Sequence, residues 1–208
     1  MTGKTQVVIK PPNLQTAQFE IEGTAPLVVH RFSARAKAQM MQKMEAGSTA
    51  RGKKPRVPFD RQAAFEEARY VSASGWDGFN ALAIRAAMIS ACRLVAFKMT
   101  LAKLSIFTVP DGWDKVEPQI PLVRILGKAR LLESVARVST DQAYITVRAC
   151  YDNWSAKVII RFDADQFTLQ DVSNLLARVG VQVGICEGRP DSTKSAGMGW
   201  GTFKVREK

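Results

Sequence analysis

The chain has 208 residues, 46% of them hydrophobic, and a formal net charge of +11. That apolar content is ample for a buried core, in one large domain or in a small domain with big insertions. The charge points to an anionic partner, a phosphate polymer first and a membrane surface second, and no apolar run of roughly eighteen residues predicts a membrane span.

The opening MTGKTQVVIKPPN lacks the apolar stretch of a secretory signal. Cys92, Cys150 and Cys186 lie far apart, form no CxxC, and share the chain with one histidine. Neither a zinc site nor a disulfide framework is expected, and a reducing cytoplasm fits best.

Val7 to Ile9 is a short apolar piece that Pro11-Pro12 stops. Ala17 to Glu22 alternates, with Phe19 and Ile21 against Gln18, Glu20 and Glu22, which predicts a half-buried strand. Leu27 to Val29 is expected to extend it past Thr24-Ala25-Pro26. Ser33 can cap a helix to about Glu45 with Met40, Met41 and Met44 on one side. Residues 46–58 (AGSTARGKKPRVP) have loop chemistry throughout. Asp60 can cap a second helix, Arg61 to Val71, and a Gly75-Trp76-Asp77-Gly78 turn follows.

Asn80 can cap the strongest predicted helix, 80–96, in which Leu82, Ile84, Ala87, Met88, Ala91, Cys92 and Val95 recur near helical spacing. Leu104 to Val109 reads as a strand, ended by Pro110. Ile120 to Ile125, Leu131 to Val138 and Tyr144 to Ala149 read as strands of a hairpin-rich arm, too mixed in texture for a deep core. Ala156 to Phe162 is a β-branched strand. Thr168 caps a helix, Leu169 to Val179, that Gly180 is expected to end. Val181 to Ile185 and Gly201 to Val205 read as the last two strands.

Reduced to its main elements, the order is strand 17–29, helix 80–96, strand 104–109, then strand 156–162, helix 169–179, strand 200–205. That is β-α-β-β-α-β, an α+β chain of ferredoxin-like, RRM-like arrangement. Residues 31–79 and 110–154 are then insertions in a single domain.

Three stretches carry chemistry. Residues 188–201 read GRPDSTKSAGMGWG. Gly188, Gly197, Gly199 and Gly201 bracket Arg189, Lys194, Ser192, Thr193 and Ser195, a composition suited to a backbone anion site, although no GxxxxGK[ST] P-loop is present. Between His30 and Phe59 stand Arg31, Arg35, Lys37, Lys43, Arg51, Lys53, Lys54 and Arg56 against Glu45 alone, so +7 of the net charge sits there. Lysines and arginines so placed neutralise phosphates and release counterions. Phe32, Phe59, Trp76, Trp113, Tyr151, Trp154 and Trp200 lie in or beside predicted loops. Such rings either cap the core from its edges or stack on bases at ~1–3 kcal/mol each, and Phe59 and Trp154 lie nearest the basic insertions.

His30 is either a loop residue or a general acid–base for RNA cleavage. Asp163 and Asp165 precede Thr168 and favour the following helix's N-terminus. No GxSxG, HExxH or triad signature is present, and no metal or other cofactor is expected.

The element order, FNALAIRAAMISACRL (79–94) and SAGMGWGTFKV (195–205) together resemble the RAMP superfamily. Within it the likeness is to the backbone subunit that lines guide RNA in CRISPR effector complexes. The resemblance implies an RRM-like palm, a fingers insertion matching 31–79, and a β-hairpin thumb matching 110–154. It also implies RNA binding through palm, thumb and glycine loop, with copies packed side by side into a filament. PLVVHR (26–31) lacks the glycine-rich turn common in that family. The target-cleaving aspartate of some members has no counterpart here, so cleavage is not carried over.

The leading expectation is a non-catalytic protein that coats single-stranded RNA as a multimer, in an immune complex or as a phage-encoded relative. Arg31, Arg35, Lys37, Arg51, Lys53, Lys54, Arg56, Arg189 and Lys194 would hold phosphates, with Ser195, Gly197 and Gly199 in the loop and Phe59 and Trp154 on bases. The alternatives are a metal-independent endoribonuclease using His30, a phage single-stranded DNA-binding or annealing protein, and an inhibitor that joins a host filament.

Overall fold

The computed structural model describes residues 9–45, 59–139, 142–193 and 196–206. In chain order the elements are β1 (Leu14–Gly23), β2 (Leu27–Val29), α1 (Ala34–Glu45), α2 (Arg61–Ala68), β3 (Tyr70–Val71) and β4 (Asp77–Asn80). Then come α3 (Leu82–Ala91), α4 (Met99–Ser105), β5 (Ile106–Val109), β6 (Gly112–Trp113), β7 (Pro121–Arg124) and β8 (Leu126–Gly127). The last are β9 (Arg130–Ser139), β10 (Gln142–Tyr151), β11 (Trp154–Asp163), α5 (Leu169–Arg178) and β12 (Phe203–Val205). The protein is α+β with antiparallel sheets, and none of its described helices is long and apolar enough to cross a membrane.

The central sheet has the order β12-β1-β11-β5, with β8 beside the start of β11. β1 and β11 pair from Leu14↔Asp163 to Glu22↔Ser155. Along β11, Trp154, Ala156, Val158, Ile160 and Phe162 are buried while Lys157 and Arg161 are exposed. This is the period-two pattern of a sheet covered on one face. The cover is helical. α3 contributes Ile84, Met88 and Ala91, and α5 contributes Val172, Leu175 and Leu176, all within one core cluster.

Both helices start where their caps predict. The Asn80 side chain accepts the Leu82 N–H at 2.9 Å. Thr168 and Asp171 form a reciprocal capping box. Asp60 likewise accepts from the Gln62 and Ala63 amides and starts α2.

Several expectations need correction. Leu27 to Val29 does not extend β1. After the Pro26 break it leaves the central sheet and pairs with β10, and all three residues are buried. Helix 80–96 is α3 followed by a 3₁₀ turn, Cys92–Val95, which Ala96 ends in the left-handed region at φ 53°. Leu104 and Ser105 belong to α4, so the strand starts at Ile106. Gly180 does not stop α5. The chain runs on through a π-helical turn, Val179–Val183, in place of the expected strand from Val181, and breaks at Gly184 with φ +69°. A Cβ at Gly180 would lie 2.1 Å from the Phe203 carbonyl oxygen, so that glycine lets β12 approach. Ile9 lies outside any strand, and Val7 and Val8 lie outside the described residues.

The two insertions form one lobe. The four-stranded sheet β3-β4-β7-β6 takes two strands from each of them. A second sheet, β2-β10-β9, holds the hairpin, and α2 packs on β10. The second insertion is therefore no shallow arm: Leu122 and Val123 of β7, Ile125, and Val147 and Ala149 of the hairpin are buried.

Candidate nucleic-acid interface

The glycine-rich segment is a coil clamped at both ends. The Glu187 amide donates to Val28 O at 3.0 Å and the Gly201 amide to Pro26 O at 2.8 Å. In the middle, Asp191 accepts from Ser90 at 2.5 Å and from Arg93 at 2.6 Å, tying the coil to α3. Gly188, Gly197, Gly199 and Gly201 all have positive φ. At Gly201 a Cβ would lie 1.9 Å from Ile185 O, and at Gly188 it would lie 2.4 Å from the Trp200 ring. Only bare backbone fits there, and Trp200 closes over Gly188 as packing. Gly199 meets nothing within 4 Å and is exposed, so a ligand can reach it. The Met198 and Trp200 amides both donate inward to Gly188 O, which leaves less of an anion nest than the composition predicts. Arg189 braces the coil by donating to Cys186 O at 3.0 Å. Lys194 and Ser195 lie outside the described residues.

The basic insertion divides. Arg31 is 5% exposed, its Nε donates to Glu67 O at 3.1 Å, and its Nη1 lies 3.6 Å from the buried Asp114 carboxylate. It joins the two insertions and is not available to phosphate, contrary to expectation. Removing one partner of such a buried pair typically costs ~3–5 kcal/mol. Lys37 is half-exposed and paired with Glu117 at 2.5 Å. Its partner carboxylate is largely buried, so Lys37 is held by the second insertion rather than free. Arg35 lies on α1, and Arg51, Lys53, Lys54 and Arg56 lie outside the described residues.

The aromatic candidates part in the same way. Trp154 is 3% exposed; its Nε1 donates to Ala25 O at 2.9 Å and its ring meets Phe203 edge-on. It is a core residue and not a stacking platform. Phe59 is 62% exposed just ahead of the Asp60 cap, and Phe32 is exposed near the other end of the same insertion. Tyr151 is fully buried, Trp76 is half-buried, and Trp113 is exposed on β6.

The structure assembles one cluster that the chain order hides. His30, at the end of β2, sits in the field of Arg148 from β10 and Glu187 from the glycine coil. Arg148 donates to Ser134 Oγ, and to Thr146 Oγ1 at 2.7 Å, and its Nε lies 4.0 Å from Glu187. The His30 pKa is lowered, first by lost hydration and then by the Arg148 charge, against the opposing pull of Glu187. The shift favours the neutral imidazole, although the residue is exposed. Burial pushes the nearby Cys186 thiol up to about 12, and Tyr70, in the field of Cys186, to about 12, so neither is a nucleophile at neutral pH.

Arg148 and Glu187 are the residues that sequence reading misses. The available signal was an arginine among the buried residues Thr146, Val147, Ala149 and Cys150 of an otherwise alternating strand. No protein-family model matches this chain, and no curated protein matches it. Among the described residues, no group of three or more His, Cys, Asp or Glu side chains could hold a metal ion. The cluster offers a cation, Arg148, held against Ser134 and Thr146, and an imidazole whose lowered pKa favours the neutral form. Such a set can hold a phosphodiester without metal.

Proposed function

We propose that this protein is a non-catalytic single-stranded RNA-binding protein of RAMP type, whose copies coat RNA side by side. The observation that carries the reading is the strand order of the central sheet. Its four principal strands lie in the order fourth, first, third, second, each antiparallel to its neighbour, with both connecting helices on one face. This supports the ferredoxin-like arrangement, with the joined insertions in the position of fingers and thumb. Glycine coil and hairpin meet at the end of β2, where the basic insertion begins. Contacts of this type hold the backbone and read little sequence. A cytoplasmic, membrane-free setting fits the reading.

The test is titration with RNA and DNA of one sequence over a salt series. Binding should fall with salt at a log–log slope of about −0.7 per phosphate neutralised. RNA should bind more tightly than DNA. Charge reversal at Lys53, Lys54 and Arg56 together should weaken binding across all sequences. Salt-independent binding overturns the reading; preference for DNA moves the protein to the phage annealing class; and no binding at all, with a protein partner co-purifying, makes it an inhibitor of a host filament.

A second reading, metal-independent cleavage, is favoured by the neutral His30 beside Arg148. A general base must be unprotonated, and a guanidinium stabilises the pentavalent phosphate. It predicts RNA cleavage in EDTA that His30→Ala abolishes; an unchanged rate in that variant removes it.

A further inference from the structure

We infer that the outer edge of β1 is an interface between two copies of this chain, paired strand to strand about Thr16. β1 has ten residues, but β12 pairs only with Ile21 to Gly23, and the Arg206 amide adds one bond to Glu20 O at 2.8 Å. Backbone groups alternate from one side of a strand to the other, so those of Leu14, Thr16 and Gln18 point the same way as those of Glu20. Among the described residues nothing pairs them on that side.

Natural sheets blunt such an edge with charge, proline or a bulge. Leu14 to Phe19 reads LQTAQF and has none of these, and its register with β11 is unbroken. The opposite edge of the sheet differs: Arg85 Nε donates to Ile106 O at 2.9 Å and Pro110 follows β5. Among the described residues the β5 edge has this side-chain bond and a proline stop, and the β1 edge has neither from Leu14 to Gln18. A groove of about 1160 Å³ runs between the β1 edge and α5, lined by Thr16, Gln18, Phe19, Ser173, Asn174 and Ala177 among others.

A second copy fits this edge by its own symmetry. With Thr16 opposite Thr16 of the second copy, Leu14 faces Gln18 and the outward amides and carbonyls satisfy one another in antiparallel fashion. The paired stretch and the α5 wall of the groove are uncharged, and the charged lining residues, Glu20, Lys204 and Arg206, lie where β12 and the Arg206 bond already cover the edge. In this register Pro12 of the second copy falls opposite Glu20, where Arg206 already closes the edge. Proline has no N–H to carry the ladder further, so the pairing ends where room for it ends. This pairing does not depend on nucleic-acid binding.

The experiment uses the full chain, stripped of nucleic acid with nuclease and high salt, in sedimentation velocity over a dilution series. Wild type should run at twice 22.9 kDa and fall to half that on dilution. Thr16→Pro removes an outward N–H that the fold's own pairing does not use, and should run as monomer with the wild-type melting curve. Should that variant fail to fold, Thr16→Lys keeps the N–H, sets two like charges together at the symmetry axis, and should also be monomeric. Opposed residues of a hydrogen-bonded antiparallel pair have Cα atoms about 5.5 Å apart, a disulfide distance. Thr16→Cys should therefore cross-link to a dimer on oxidation, while Leu104→Cys, also exposed, should not. A folded Thr16→Lys variant with the wild-type mass distribution overturns the proposal. So does a wild type that is monomeric throughout, and protection of the Thr16 and Gln18 amides from exchange would then mean that the chain's own terminal residues cover the edge.

Discussion

α5 and α1 are helices of similar length that do opposite things with their apolar residues. α5 has a capping box and buries Val172, Leu175 and Leu176 against the central sheet. α1 exposes Met40, Met41 and Met44 and carries the first part of the basic insertion. The contrast holds for the regions around them. In the central sheet the aromatic side chains Phe162 and Phe203 are buried and charges on the open face are paired, as in Glu20–Lys157 and Glu22–Lys204. In the lobe made from the two insertions, aromatic, methionine and basic side chains stay exposed. The helices of the first region pack on the core, whereas the second region, besides its own buried residues, keeps Phe32, Phe59 and the α1 methionines exposed.

The contrast predicts graded effects. Gly201→Ala should be the most damaging, because its Cβ would overlap the Ile185 carbonyl at φ +68°; thermal melting should register loss of the folded state. Its opposite is Gly199→Ala, where φ is +73° but space is open, and the cost should be only about 1 kcal/mol. Next comes the aromatic pair. Trp154→Ala should cost ~3–5 kcal/mol of stability in denaturant titration. Phe59→Ala should leave stability within ~0.5 kcal/mol and weaken RNA binding by ~1–3 kcal/mol. If the two variants exchanged these behaviours, the division of labour would be wrong. Thr168→Ala, which removes the α5 cap, should cost about 1 kcal/mol. Substitution of Met40 and Met44 by serine should leave the melting temperature nearly unchanged, since neither is buried.

The pH dependence has a definite sign. His30 has a lower pKa folded than unfolded, so the unfolded chain takes up the proton first as pH falls. Stability attributable to this group is therefore complete above its ordinary value of 6.5 and declines as pH drops through and below it. His30→Asn should flatten that part of the stability–pH curve. Phosphate binding runs the other way. An anion beside the ring favours imidazolium, so RNA should raise the His30 pKa, which a histidine NMR titration would report.

Much of the fold was legible because its signals are local. The alternation of β11, the Thr168 and Asn80 caps and the β9–β10 hairpin each rest on a few neighbouring residues. The errors fell where a distant partner decides. Gly180 reads as a helix stop but is a gap for β12. Trp154 reads as a loop aromatic but sits against Gly23, where an added Cβ would lie 2.1 Å from its indole nitrogen. Arg31 reads as a phosphate ligand but is held by Glu67 and Asp114. The candidate site was half legible: composition marked the glycine coil and His30, whereas Arg148 and Glu187 joined them only through β2–β10 pairing and the Glu187–Val28 bond.

From its residues alone the chain carries its periods of two and 3.6, its caps, its excess of positive charge and its order of elements. These depend on side chains within a turn or two of one another. Folding in three dimensions settled that Arg31 is buried, that two insertions share one sheet, and which strands lie side by side in the central sheet. Those outcomes depend on contacts such as Ser90 with Asp191, 101 residues apart, whose burial and hydrogen bonding no local pattern encodes.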